Sequence, residues 1–161
     1  MHKTAPVDLK SVETTHPVNN VSTPAWPEYN NVQSSEPQDH FIERDGVLFA
    51  GSHLIIDLWG AKRLDDLNHM EQAMRDAVRA ANATLLHIHL HHFTPNYGIS
   101  GVAVLAESHI SVHTWPERDF AAFDIFMCGI AQPELAIPVL KQAFHPKRLN
   151  ITEELRGVVT P

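Results

Sequence analysis

Between residues 84 and 127 the chain offers a succession of strand-like runs, and only short loops separate them. The runs cover 84–93, 101–106, 109–115 and 120–127: the first is β-branched and alternating, 109–115 sets polar against apolar positions, and 101–106 and 120–127 are short, nearly all-apolar runs, and all four read as strands. The segment 94–100 carries Pro95 and Gly98 and reads as a loop, and Trp115-Pro116-Glu117 reads as a turn. Consecutive strands joined by short turns favour antiparallel pairing, because a parallel crossover needs a dozen or more residues. Ahead of this block, 47–59 reads as a strand entered from a turn at Gly46 and closed by Gly60. Apolar residues then recur at Leu64, Leu67, Met70, Met74, Ala77, Val78 and Ala81, the spacing of one helix face. Asp65 and Asp66 fall in its first turn, where carboxylates favour the helix dipole, and Asn82 is the expected stop. After the block, 133–144 reads as a helix with Pro133 in its first turn, and Pro138 predicts a kink or an early end. A last strand is expected over 149–154. The order strand, helix, several strands, helix, strand predicts an α+β fold: a two-layer sandwich, mainly antiparallel sheet with helices on one face.

Residues 1–45 have another character. They hold five of the eleven prolines, are rich in Ser, Thr and Asn, and sustain no period. A disordered or weakly ordered N-terminal extension is expected there, and one folded domain over 46–161. Twelve Lys and Arg against nineteen Asp and Glu leave a formal charge of -7, which is not the basic footprint of a phosphate-backbone binder. No nucleic acid partner is expected. No apolar run is long enough to span a bilayer, and the first residues lack the basic-then-apolar order of a signal peptide, so a soluble, cytoplasmic protein is expected. The single cysteine, Cys128, excludes an intramolecular disulfide and a multi-cysteine zinc site.

Histidine is the compositional anomaly, with twelve copies. On a strand over 84–93, His87, His89 and His91 share one face while Ile88, Leu90 and His92 share the other. Three imidazoles on one face permit a metal site, but no neighbouring carboxylate or thiolate has a sequence-local claim to be a fourth ligand. The favoured reading is a histidine face that is partly solvated or at an interface, with no metal. The second cluster is Gly98-Ile99-Ser100-Gly101, then Glu107-Ser108-His109-Ile110-Ser111-Val112-His113-Thr114-Trp115-Pro116-Glu117, with Asp124-Ile125-Phe126-Met127-Cys128-Gly129 behind it. Extended backbone lines His109, Ser111, His113 and Trp115 along one face and leaves the His113 ring free for acid–base work. These residues alone permit a hydrolase with Ser or Cys as nucleophile and His as base, although Ser108 lacks a nucleophile-elbow pattern.

Taken as one string, the Gly-x-Ser-Gly segment, the Glu-Ser-His-x-x-x-His-Thr-Trp-Pro-Glu core and a Cys twenty residues after the Ser closely resemble the prokaryotic-type S-adenosylmethionine decarboxylase proenzymes, over roughly 47–157. The resemblance implies a self-processing, pyruvoyl-dependent decarboxylase whose cofactor is made from its own backbone. Ser108 Oγ would attack the Glu107 carbonyl to give an ester, and loss of the Ser108 α-proton would release the upstream chain. Hydrolysis of the resulting dehydroalanine would leave Ser108 as the pyruvoyl group, which forms a Schiff base with substrate. The products, chains 1–107 and 108–161, would stay associated because the cut falls between adjacent strands. Decarboxylating an α-amino acid leaves a carbanion, and a pyruvoyl imine is an electron sink for it.

By the same resemblance, Cys128 is the proton donor in catalysis, His113 removes the Ser108 α-proton in processing, and Ser100 assists processing at the Glu107 carbonyl or the ester. Phe93 would stack on adenine and Glu117 would bind the ribose hydroxyls of S-adenosylmethionine. The product would be decarboxylated S-adenosylmethionine, the aminopropyl donor for spermidine synthesis. A homodimer or higher homo-oligomer is also implied. The segment from Phe93 to Ser100 holds one residue more than the common family loop, which bears on substrate identity. Pyruvoyl chemistry on a basic amino acid, ornithine or arginine, and a non-catalytic binding homologue are the alternatives.

Overall fold

A turn at Asp45 and Gly46, both with positive φ (54° and 78°), closes a hairpin of strands β1 (Ile42–Arg44) and β2 (Val47–Phe49). The structure, a computed structural model, describes residues 40–95 and 97–159. Most of the expected N-terminal extension therefore lies outside the described residues. β1 precedes the start expected for the folded domain; three residues, two of them exposed, carry no readable period.

Six strands build the main sheet: β3 (Gly51–Trp59), β4 (Leu85–His92), β5 (Ile99–Leu105), β6 (Ser108–Trp115), β7 (Phe120–Met127) and β8 (Arg148–Arg156). Their order is β4-β5-β6-β7-β3-β8, with every neighbour antiparallel. The run expected as one strand over 47–59 divides at Ala50: its first part pairs with β1, and β3 enters the main sheet between β7 and β8. Alternation alone does not say with which partner a strand pairs, so the division left no mark in the pattern.

Helix α1 (Leu67–Ala80) begins one residue after the position at which a first-turn carboxylate was expected. Asp66 is its N-cap, and its side chain accepts the His69 backbone N–H at 3.0 Å. That bond and the Arg63 guanidinium hold the Asp66 carboxyl below the usual carboxylate range. Asn82 terminates the helix with a left-handed φ of 54°. Helix α2 (Ala136–Phe144) follows a short 3-10 turn, Pro133–Leu135. Pro138 does not end it: the α-helix proper starts at Ala136, so Pro138 stands in the first turn, where a missing N–H costs no intrahelical bond.

Both helices lie on one sheet face. Met70, Met74, Ala77 and Val78 of α1 and Leu140 and Phe144 of α2 are buried in one cluster with Leu54, Ile56, Ile110, Val112, Phe123 and Ile125 of the sheet. This is the two-layer α+β sandwich the pattern predicts. The strand residues between these point to the other face, where rows run across the sheet. One row is His91, Ser100, His113, Ala122, Asp57; another is His89, Val102, Ser111, Asp124, Ile55; a third is His87, Val104, His109, Phe126, His53. Among the described residues no helix is long and apolar enough to cross a membrane.

Candidate active site

β5 and β6 are joined by only two residues, Ala106 and Glu107, so the Glu107–Ser108 peptide stands at the tip of a tight hairpin. The β6–β7 register sets Ser108 opposite Met127, which brings Cys128 beside that peptide. The Glu107 carbonyl accepts two hydrogen bonds from Cys128, one from its backbone N–H and one from its thiol, each at 3.1 Å. Two donors on one carbonyl oxygen are the arrangement that stabilises charge developing there when the carbon is attacked. The Glu107 carboxylate accepts the Thr84 N–H at 2.8 Å and anchors the turn.

Ser108 has a φ of 147°, a region in which an L side chain is crowded and glycine is the usual occupant; such strain is worth about 1–3 kcal/mol. Its Oγ lies 3.2 Å from His109 Nδ1. Burial, and secondarily the Glu107 carboxylate, push the Cys128 thiol up, so that it stays protonated at neutral pH and can donate. A cavity of about 470 Å³ opens onto Ser108 and Cys128 and is walled by Phe126, Ala50, His40 and Phe41. The Gly129 N–H donates to the His40 carbonyl at 3.1 Å, which ties the segment before β1 to this wall.

The other expected residues gather at the far end of β6. Ser100 and His113 face each other across the β5–β6 ladder, with Ser100 Oγ 2.8 Å from His113 Nδ1. They line a second cavity, of about 340 Å³, with Phe93, Gly98, Trp115 and Glu117. Phe93 is 47% exposed and meets His91 edge-on at 4.5 Å between ring centres, so its ring is open to a ligand. Glu117 sits in the 3-10 turn Pro116–Arg118 that closes the cavity rim. Beneath it, buried Thr114 Oγ1 accepts the Ile99 N–H at 2.7 Å and donates to the Leu64 carbonyl at 2.9 Å, which fixes the start of β5. Trp115 stacks on Phe120 at 5.3 Å and Phe120 on Trp59 at 4.3 Å, forming a rigid aromatic flank.

Glu107, Ser108 and Cys128 thus form one group, and Phe93, Ser100, His113 and Glu117 another. Five residue steps along extended β6 separate Ser108 from His113, about 16 Å at the usual rise. Within one chain the two groups do not meet. His87, His89 and His91 lie on β4, the strand at one edge of the sheet; among the described residues no cluster of three or more His, Cys, Asp or Glu is arranged to hold a metal. The sequence pattern passed over His109, His40 and Phe41 at the Ser108 end. For His109 the reason is physical: neighbours on a regular strand point to opposite faces, and only the irregular φ at Ser108 lets the two side chains touch.

Comparison with known proteins matches the S-adenosylmethionine decarboxylase family over residues 52–157. An S-adenosylmethionine decarboxylase proenzyme of Thermomicrobium roseum is 47% identical over 110 residues, covering 68% of this chain and 95% of that protein. A protein of the same description from Methanococcus vannielii is 45% identical over 112 residues, covering 68% of this chain and 91% of that one. The crystal structure of the adenosylmethionine decarboxylase from Aquifex aeolicus VF5 superposes with a TM-score of 0.64 at 34% identity, covering 70% of this chain and 94% of that one. The β1–β2 hairpin lies ahead of the matched region. By sequence and by fold, the chain belongs to the S-adenosylmethionine decarboxylase family.

Proposed function

We propose that the chain is a proenzyme that cuts itself between Glu107 and Ser108 and, once cut, decarboxylates S-adenosylmethionine to the aminopropyl donor of spermidine synthesis. The observation that carries this is the scissile carbonyl held by two Cys128 donors at 3.1 Å, next to a serine strained at φ 147°. Attack by Ser108 Oγ on the Glu107 carbon moves charge onto an oxygen already provided with hydrogen bonds, and relieves the strained peptide. The residues present suit formation of a pyruvoyl group at position 108. That group supplies the electron sink for the carbanion left when carbon dioxide departs. Cys128 holds a proton at Sγ beside it, ready for the carbon that must be protonated.

The cut leaves two interlocked chains. The fragment 1–107 carries β1 to β5 and α1, and 108–161 carries β6, β7, α2 and β8. The sheet order interleaves them, so the β5–β6, β7–β3 and β3–β8 seams all join one fragment to the other.

The working unit on this reading is a homodimer. The sheet face away from the helices includes Ile55 and Trp115, 43% and 42% exposed, which a second sheet would cover. A two-fold axis in the plane between two such faces, perpendicular to β6 near Ser111, lays the Ser108 end of one copy over the His113 end of the other. Ser100 and His113 of one copy then serve Ser108 of the partner, with His113 taking the α-proton. Phe93 offers a ring face to adenine and the Glu117 carboxylate accepts ribose hydroxyls at the same place. We place the enzyme in the cytoplasm.

The test is the intact mass of the untagged protein under denaturing conditions, before and after borohydride reduction. Two chains of 1–107 and 108–161, the smaller gaining two hydrogens on reduction, are expected, with turnover of S-adenosylmethionine by the same preparation. A chain that stays whole refutes the reading.

A further inference from the structure

The first step of self-cleavage needs a base. A serine hydroxyl attacks an amide carbon only as its proton leaves, and the acceptor must stand within about 2.6–3.2 Å of it. His113 is about 16 Å along the same strand, and its Nδ1 is taken up by Ser100 Oγ at 2.8 Å. Cys128 is on the wrong side of the reaction, since its thiol already donates to the Glu107 oxygen. The imidazole that touches the nucleophile is that of His109, with Nδ1 3.2 Å from Ser108 Oγ.

We infer that His109 is the general base of the first processing step, the acyl shift from Ser108 nitrogen to Ser108 oxygen, an inference that rests on the self-cleavage reading above. Three features of the site fit this role. Nδ1 in its unprotonated tautomer accepts the Ser108 O–H, so the proton has a prepared path. The ring is held between strands opposite Val104 and Phe126 and meets the Phe126 ring edge-on at 6.1 Å, which limits its rotation. Acceptor and donors flank the peptide as a pull on the nucleophile's proton and a clamp on the carbonyl oxygen.

The step balances without any added reagent. The Ser108 Oγ proton passes to His109 Nδ1 as the Oγ–carbon bond forms, and the carbonyl electron pair moves onto the Glu107 oxygen held by Cys128. The carbon–nitrogen bond then breaks, and the leaving Ser108 nitrogen takes the proton back from Nδ1. An ester and a free amine result, and the imidazole is neutral again. Removal of the α-proton is a separate event and belongs to another group.

The test uses the full chain with His109→Ala and His109→Asn. Asparagine keeps an acceptor oxygen near the place of Nδ1 but cannot take up a proton at neutral pH, which separates a base from a mere positioning contact. Cleavage is followed by denaturing mass spectrometry, with and without hydroxylamine, and thermal melting establishes that each variant is folded. We expect both variants to cleave at least about 100-fold more slowly than the unaltered chain. The uncut precursor should resist hydroxylamine, because no ester has formed, and added imidazole should speed H109A. Cleavage of folded H109N within about twofold of the unaltered chain overturns the inference and leaves the self-cleavage reading intact, and H109N decides alone if H109A does not fold. Accumulation of a hydroxylamine-sensitive ester also overturns it, by moving His109 to a later step. An unaltered chain that never cleaves removes the reading itself.

Discussion

A site divided between two copies can be restored by mixing two dead variants. On the proposed reading, Ser108→Ala removes the cofactor precursor at one end of β6, and His113→Ala removes the proton acceptor at the other, about 16 Å away. In a mixed dimer of the two variants, both substitutions meet in one site, which is doubly damaged. Its second site draws Ser108 from the H113A copy and His113 from the S108A copy and is whole. Equal co-expression gives about half mixed dimers, each with one repaired site of two, so about a quarter of all sites should recover cleavage and turnover. Every cut chain should be an H113A chain, which differential tags on the two variants and mass spectrometry will show. Ser108 and Cys128 lie at the same end, so co-expressing S108A with Cys128→Ala should restore no decarboxylation. Absence of cleavage in the S108A and H113A mixture would falsify the two-copy site, and rescue in the S108A and C128A mixture would refute the placing of Ser108 and Cys128 in one copy's half of it. Rapid cleavage of H113A alone would refute the role given to His113.

Other consequences are open to direct measurement. The Cys128 thiol titrates above its ordinary value, so its protonated, donating form persists through neutral pH and is lost only as pH rises through that raised value. The kcat profile should therefore fall only at alkaline pH, above the ordinary thiol value of 9.0, and Glu107→Gln, which removes one of the two causes, should move the fall toward acid; a fall below that value contradicts the assignment. Phe93→Ala should raise KM for S-adenosylmethionine by about tenfold, in line with the worth of stacking a base on an aromatic ring; an unchanged KM removes Phe93 from the substrate site. Gly101 has no room for a side chain, since a Cβ there would collide with the His89 carbonyl oxygen and with Leu90 Cδ2. Gly101→Ala should cost about 1–3 kcal/mol by pushing β4 from β5, seen as a melting temperature lowered by at least about 3 °C.

Much of the fold is legible in the sequence. β7 occupies the same residues as the expected strand, because Phe120 to Met127 is a short, almost wholly apolar run bounded by the turn at Pro116 and by Gly129, and its alternation between a helix-covered face and an open one shows only in the structure. Asn82 ended α1 as expected, since a left-handed residue stops a helix by its own backbone geometry. Less legible were features that depend on partners. The short β1, with Ile42 half-buried and the rest exposed, is a strand only because β2 lies beside it. Pro138 was misplaced within its helix because the length of the preceding 3-10 turn, not the proline, sets where α2 begins.

The site divides in the same way. Periodicity and the motif string determined that His109, Ser111, His113 and Trp115 share one sheet face and that the Glu107–Ser108 bond falls between two adjacent strands, because these are local matters of alternation and turn length. Tertiary structure alone decided that β3 runs between β7 and β8, that Cys128 grips the Glu107 carbonyl, and that Ser108 and His113 sit at opposite ends of one strand with His109 as the nearer imidazole. Long-range register and a single irregular φ govern those contacts, and neither is written in the spacing of residues along the chain.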